Sequence, residues 1–146
     1  MPKTINGTKG SSKSGLQGYF PKWIKVTKTY SDFSTAALTN SIEILSLPAN
    51  GVIHSIKLKH STMFTGGIIA TYTISVGIVG NLTKYITASN VKAAVGDLIQ
   101  YISNTTGTEG NAAVTSIKAT AVSTVDNLDN AIQGSVDFWI LYSVLP

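Results

Sequence analysis

The chain has 146 residues, 43% of them hydrophobic and only 12% charged, with a formal net charge of +4. That length supports one domain with a continuous core, and the absence of cysteine excludes disulfide frameworks, thiolate metal sites and cysteine nucleophiles. So little charge is compatible either with a surface of Ser, Thr and Asn or with extensive burial between subunits, since ordinary soluble domains carry roughly 25% charged residues.

Residues 1–18 are rich in Gly, Ser, Thr and Lys and contain almost nothing apolar, which predicts a flexible basic arm ahead of a folded domain over 19–146. The arm is either an inert tail or a segment that orders on a neighbouring subunit, in which case Lys3, Lys9 and Lys13 are its candidate contacts with an acidic lattice. Six lysines, Lys28 the last, precede the first carboxylate, Asp32, and residues 29–146 then hold five lysines against all seven carboxylates, a net charge of −2. Arginine, the usual bidentate reader of phosphate and guanine, is absent. Specific nucleic-acid recognition is therefore not expected, although non-specific attraction of the arm to a negative surface is open. No apolar signal segment precedes the domain and no apolar run is long enough to span a bilayer as a helix, so neither secretion nor a membrane partner is expected.

Beyond Gly18 and Pro21 the pattern has period two almost throughout. Trp23 to Tyr30 alternates Ile24 and Val26 with Lys25 and Thr27, as a half-buried strand does. Ser41 to Leu47 places Ile42 and Ile44 on one face and Glu43, Leu45 and Leu47 on the other. Pro48 to Gly51 is turn chemistry, and Val52 to His60 alternates Ile56 and Leu58 with Ser55, Lys57 and Lys59, so the two segments read as a hairpin. Gly66 and Gly67 break the chain before Ile68 to Ile78, where Ile68, Ala70, Tyr72, Ile74, Val76 and Ile78 share a face. Gly80 and Asn81 turn it again into a short strand over Leu82 to Ile86. Ala88 to Leu98 reads as a helical turn or a loop, followed by a short strand around Ile99 to Ile102 and a polar loop over 103–111.

Ala113 to Thr124 alternates with Ile117, Ala119 and Ala121 on one side, and 125–134 forms the last loop. The final strand, Ser135 to Leu145, carries Val136, Phe138, Ile140, Tyr142 and Val144 on one face, yet Trp139 and Leu141 on the opposite face are apolar too. About eight strands with short turns predict an all-β fold, a two-sheet antiparallel sandwich and, by strand count, an eight-stranded jelly roll.

No constellation for chemistry emerges. His54 and His60 lie six apart in one strand, which sets them on the same face but about 20 Å apart, too far to share a metal. Asp126 and Asp129 with Asn127 and Asn130 gather oxygens of the kind that hold Ca²⁺ weakly, but the pattern of a dedicated calcium loop is missing and Asx-turns account for them more simply. Neither a nucleophile elbow nor a phosphate-binding glycine loop is present, so no enzyme activity and no cofactor are expected. The aromatic side chains fall mostly on apolar strand faces, which favours core positions over a sugar-stacking platform.

Leu47, Pro48, Gly51 and Ile53, the Gly66–Gly67 pair, Ser75 to Gly77 with Gly80 and Asn81, and Gly134, Val136 and Trp139 together resemble a group of small virion proteins of tailed bacteriophages. The resemblance spans roughly residues 45–145. It implies a jelly-roll-like module present in several copies on a capsid or tail, with no catalytic residues, and partners that are further copies of itself and other phage proteins. A head decoration or auxiliary protein is the expected role; a tail or fibre module that binds a host receptor or glycan through the 103–111 or 124–133 loops is the alternative. Trp139 and Leu141, with Trp23, are the candidate subunit contacts, and a closed homo-oligomer, a trimer by preference, would bury them symmetrically.

Overall fold

A computed structural model describes residues 20–93, 95, 98–102 and 112–146. The arm with Lys3, Lys9 and Lys13 and the 103–111 loop lie outside the described residues. Alternating segments become eight strands: β1 (Lys22–Thr29), β2 (Thr39–Leu47), β3 (Gly51–Thr65), β4 (Thr71–Ile78), β5 (Asn81–Asn90), β6 (Leu98–Ile102), β7 (Thr115–Thr124) and β8 (Gln133–Val144). A single helical turn, α1 (Tyr30–Phe33), follows β1, and a 3₁₀ turn, Leu128–Asn130, precedes β8.

The strands form two antiparallel four-stranded sheets, ordered β1-β8-β3-β6 and β2-β7-β4-β5. Packed face to face, with every connection except β4–β5 crossing between sheets, this is the eight-stranded jelly roll. Apolar residues at alternate positions meet between the layers: Ile56 and Leu58 of β3, Tyr72, Ile74 and Val76 of β4, Ile117, Ala119 and Ala121 of β7, and Val136, Phe138 and Ile140 of β8 are all fully buried except for traces. One end is closed by aromatic rings, with Phe64 4.7 Å from Tyr72 and 6.3 Å from Phe33, which α1 delivers into the core. Asp32 holds that turn in place by accepting the Thr29 N–H at 2.7 Å.

Five expectations change. The Pro48–Gly51 turn forms, with the Gly51 N–H donating to the Pro48 carbonyl at 2.9 Å and Asn50 at φ 60°, but β2 and β3 are not a hairpin. Leu47 pairs with Thr115 of β7 and Gly51 with Val144 of β8, so the turn carries the chain from one sheet to the other. Turn chemistry dictates a reversal; the long strands β7 and β8 decide which edge each arm joins. Within β2, Ile44 is an extra residue opposite the Lys118–Ile117 step, and this bulge flips the alternation so that Ile44 and Leu47 are both buried.

A second bulge, at His54, separates the two histidines. His60 pairs with Val136 on the core side and donates its ring N–H to the Ala93 carbonyl at 3.0 Å, whereas His54 bonds the Ser143 hydroxyl at 2.7 Å on the outer side. Finally, the strand predicted from Ile68 begins at Thr71: Ile68 is exposed, and its neighbour Ile69 fills the core. The segment Ala88–Asn90 extends β5 and is neither helical turn nor loop.

β4 and β5 form the true hairpin, turning through Val79 and Gly80. There the chain folds closely over itself: a Cβ on Gly77 would lie 2.1 Å from the Asn81 carbonyl oxygen, so only glycine fits.

Candidate contact face

In β8 the residues that point away from the core are Asp137, Trp139, Leu141 and Ser143. Their cross-strand partners build the outer face of the first sheet in ordered rows: Trp23, Leu141 and Ser55; then Lys25, Trp139 and Lys57; then Thr27, Asp137 and Lys59. β8 is central in this sheet, so Trp139 and Leu141 sit in the middle of the face, half-buried by their neighbours, while Trp23 on the edge strand is 48% exposed. All three candidate contact residues are thus brought together on one surface.

The surface is not bare hydrocarbon. The Lys25 ammonium lies 5.1 Å from the Trp139 ring centroid, and Lys57 reaches across β8 to stand 5.0 Å from that of Trp23. Both distances fall within the range of cation–π attraction, and the lysine stems shelter the indoles while the heads stay in water. Asp137 accepts the Thr27 hydroxyl at 2.6 Å and pairs with Lys25 at 3.1 Å. Lys57 and Lys59 have no such carboxylate among the described residues. Together with the two tryptophans they line a shallow depression of about 320 Å³. Alternation marks Lys25, Lys57 and Lys59 as outward residues; their stacking on tryptophans of other strands depends on strand order, which local pattern does not contain.

The remaining candidates are structural. Asp126 accepts the Ile68 N–H at 3.1 Å, the Asn127 N–H at 3.0 Å and the Asn130 side-chain amide at 2.6 Å. Those donors, the Ile68 N–H foremost, pull its pKa below the ordinary carboxylate value. The loop 125–132 is therefore tied to the β3–β4 connection through a carboxylate whose oxygens are occupied by N–H groups, and these bonds reach the next residue, the fourth on and a distant strand connection where an Asx-turn would reach the second residue on. Among the described residues no three His, Asp or Glu side chains converge as a metal site. None of their helices is long and apolar enough to cross a membrane.

No protein-family model matches the sequence, and no curated protein matches it. Among solved structures, the chain is similar to a chain of the cyanophage Pam1 capsid asymmetric unit, with 16% identity and a TM-score of 0.56 over 88% of this chain and 87% of that one. It is also similar to a chain of the capsid of Ralstonia phage GP4, with 20% identity and a TM-score of 0.50 over 86% and 84% of the two chains. The fold is one that phage capsids use. At such identities the likeness is one of architecture.

Proposed function

We propose that this chain is a structural protein of a tailed-phage virion, a multicopy capsid decoration or auxiliary protein that acts by assembly and carries no catalysis. One observation carries the reading: the central strand of a complete sandwich presents Trp139 and Leu141, beside Trp23, to the outside, where the fold itself has no use for them. Tryptophans at the centre of a flat face are the residues that dominate protein interfaces, each costing about 2 kcal/mol or more when truncated. The sharing of the fold with chains of phage capsids supports the setting. A closed trimer would bury the face symmetrically, and the arm with Lys3, Lys9 and Lys13 would add contacts to a negatively charged lattice.

The test is a reconstituted particle. Wild-type protein and the Trp23→Ser/Trp139→Ser variant are added to capsids that lack the protein, and bound copies are counted by sedimentation and imaging. Wild type is expected to saturate at a fixed copy number and the variant to lose most occupancy while remaining folded by circular dichroism. Saturation by the variant at wild-type concentrations, or an assembly in which Trp139 touches no other chain, overturns the proposal.

A further inference from the structure

We infer that the outer face of the β1-β8-β3-β6 sheet docks an extended acidic segment of a partner protein, with carboxylates at every second residue, and not a purely apolar surface; this rests on the contact-face reading above. The argument is one of charge complementarity. Any partner that covers Trp23 and Trp139 also covers the lysine heads that stack on and flank them. Lys25 brings its own counter-charge in Asp137. Asp137 is also the cross-strand neighbour of Lys59, but it is the one described carboxylate among these three lysines, so two of their charges stay uncompensated among the described residues, and Lys57 is held over Trp23 by its ring. Burying two ammonium groups against hydrocarbon leaves their charges uncompensated, which opposes docking; burying them against carboxylates does not.

Spacing narrows the partner further. Lys57 and Lys59 are two residues apart on one strand, on the same face, so their stems emerge about 7 Å apart. Carboxylates at alternate positions of an extended segment repeat at that interval, and the apolar or hydroxyl residues of such a segment that point the same way can rest on the indoles. Lysine also suits this partner better than a phosphate-rich one, because it supplies point charges without the bidentate fork that arginine offers phosphate.

The protein contains its own reporter. Its only two tryptophans, Trp23 and Trp139, both lie on this face, so intrinsic tryptophan fluorescence reads the docking surface and nothing else. The probes are a synthetic peptide with glutamate at alternate positions between threonines, its glutamine counterpart, and a single-stranded oligothymidylate, titrated into the full chain at low and high salt. The glutamate peptide is expected to change the emission saturably, with affinity that weakens as salt rises, and the glutamine peptide to bind at least tenfold more weakly. Lys57→Gln/Lys59→Gln is expected to reduce glutamate-peptide affinity about three- to tenfold, whereas Lys84→Gln, whose lysine is on β5 of the other sheet, leaves it unchanged. Equal binding of the two peptides, or tighter binding of the oligonucleotide than of the glutamate peptide, overturns the inference.

Capsid occupancy separates it from the broader reading. If Lys57→Gln/Lys59→Gln occupies capsids like wild type while Trp23→Ser/Trp139→Ser does not, the face is an interface but its partner is not acidic. If neither variant loses occupancy, the interface itself is wrong.

Discussion

Replacing Tyr72 by phenylalanine removes one oxygen from the middle of the sandwich and leaves every carbon contact in place. Tyr72 is fully buried, its ring centroid 4.7 Å from that of Phe64, and its hydroxyl has no hydrogen-bond partner among the described residues. A buried hydroxyl without a partner has lost its water and gained nothing, at a cost of about 1–3 kcal/mol. Tyr72→Phe should therefore stabilise the domain by that amount, against the usual direction of core substitutions, and raise Tm by about 3 to 9 °C for a domain of this size. Thermal and urea denaturation, run at one fixed protein concentration because the Tm of any self-associating protein depends on concentration, measure it.

The same substitution has a signature in pH. Burial pushes the Tyr72 phenol well above its ordinary value of 10.0. Above pH 10 the unfolded chain gives up this proton and the folded chain keeps it, so stability is intact below that pH and declines as pH rises beyond it. Phenylalanine has no proton to release, and the advantage of the variant should widen in alkali. A Tyr72→Phe protein that is less stable than wild type by 1 kcal/mol or more refutes the reasoning, because it means the hydroxyl is satisfied, for instance by an internal water.

Three further outcomes follow from the packing. Gly77→Ala drives a methyl group into the backbone of Asn81 and Leu82 and should cost about 1–3 kcal/mol by urea denaturation, whereas Gly80→Ala, with no atom within 4 Å of the added carbon, meets only the cost of its positive φ. Phe138→Ala empties the centre of the core and should lose about 3–5 kcal/mol, with the far-ultraviolet spectrum unchanged where the variant still folds. Asp126→Ala releases the tie between the β7–β8 and β3–β4 connections; the folded-state pKa of Asp126 is depressed, so its contribution is present at neutral pH and lost as pH falls below about 3.8, and the variant should show a flatter acid limb in a stability–pH profile together with faster amide exchange at Ile68.

The alternation of Ile117, Ala119 and Ala121, and of Val136 to Tyr142, was enough to place most of the core and to set Trp139 and Leu141 outside it, because a strand's two faces are a local property. The features that escaped are those that depend on a partner strand. The bulges at Ile44 and His54 each insert one residue against a neighbour far along the chain, and nothing within either strand announces them. The β2–β3 turn has hairpin chemistry, yet its two arms belong to different sheets since β7 and β8 take them up. The outer face of the first sheet shows the same division: Trp139 was legible from the two-faced pattern of β8, while its place beside Trp23 of β1 and the lysines that stack on both rings required the order β1-β8-β3. Pairing across long sequence separations is encoded in the sum of side-chain fits and not in any window of residues.

The position of β8 has a consequence for how the protein comes into being. It is the last of the eight strands to be synthesised, yet it lies inside its sheet with β1 on one side and β3 on the other. Until it emerges, β1 has no partner and β3 lacks its longest one, so the first sheet cannot close and the face bearing Trp139 does not exist. Folding dominated by such distant pairings is intrinsically slow. The strand that completes the sandwich is also the one that carries Trp139 and Leu141, so under the proposed function a chain that has not yet made β8 lacks the centre of its contact face.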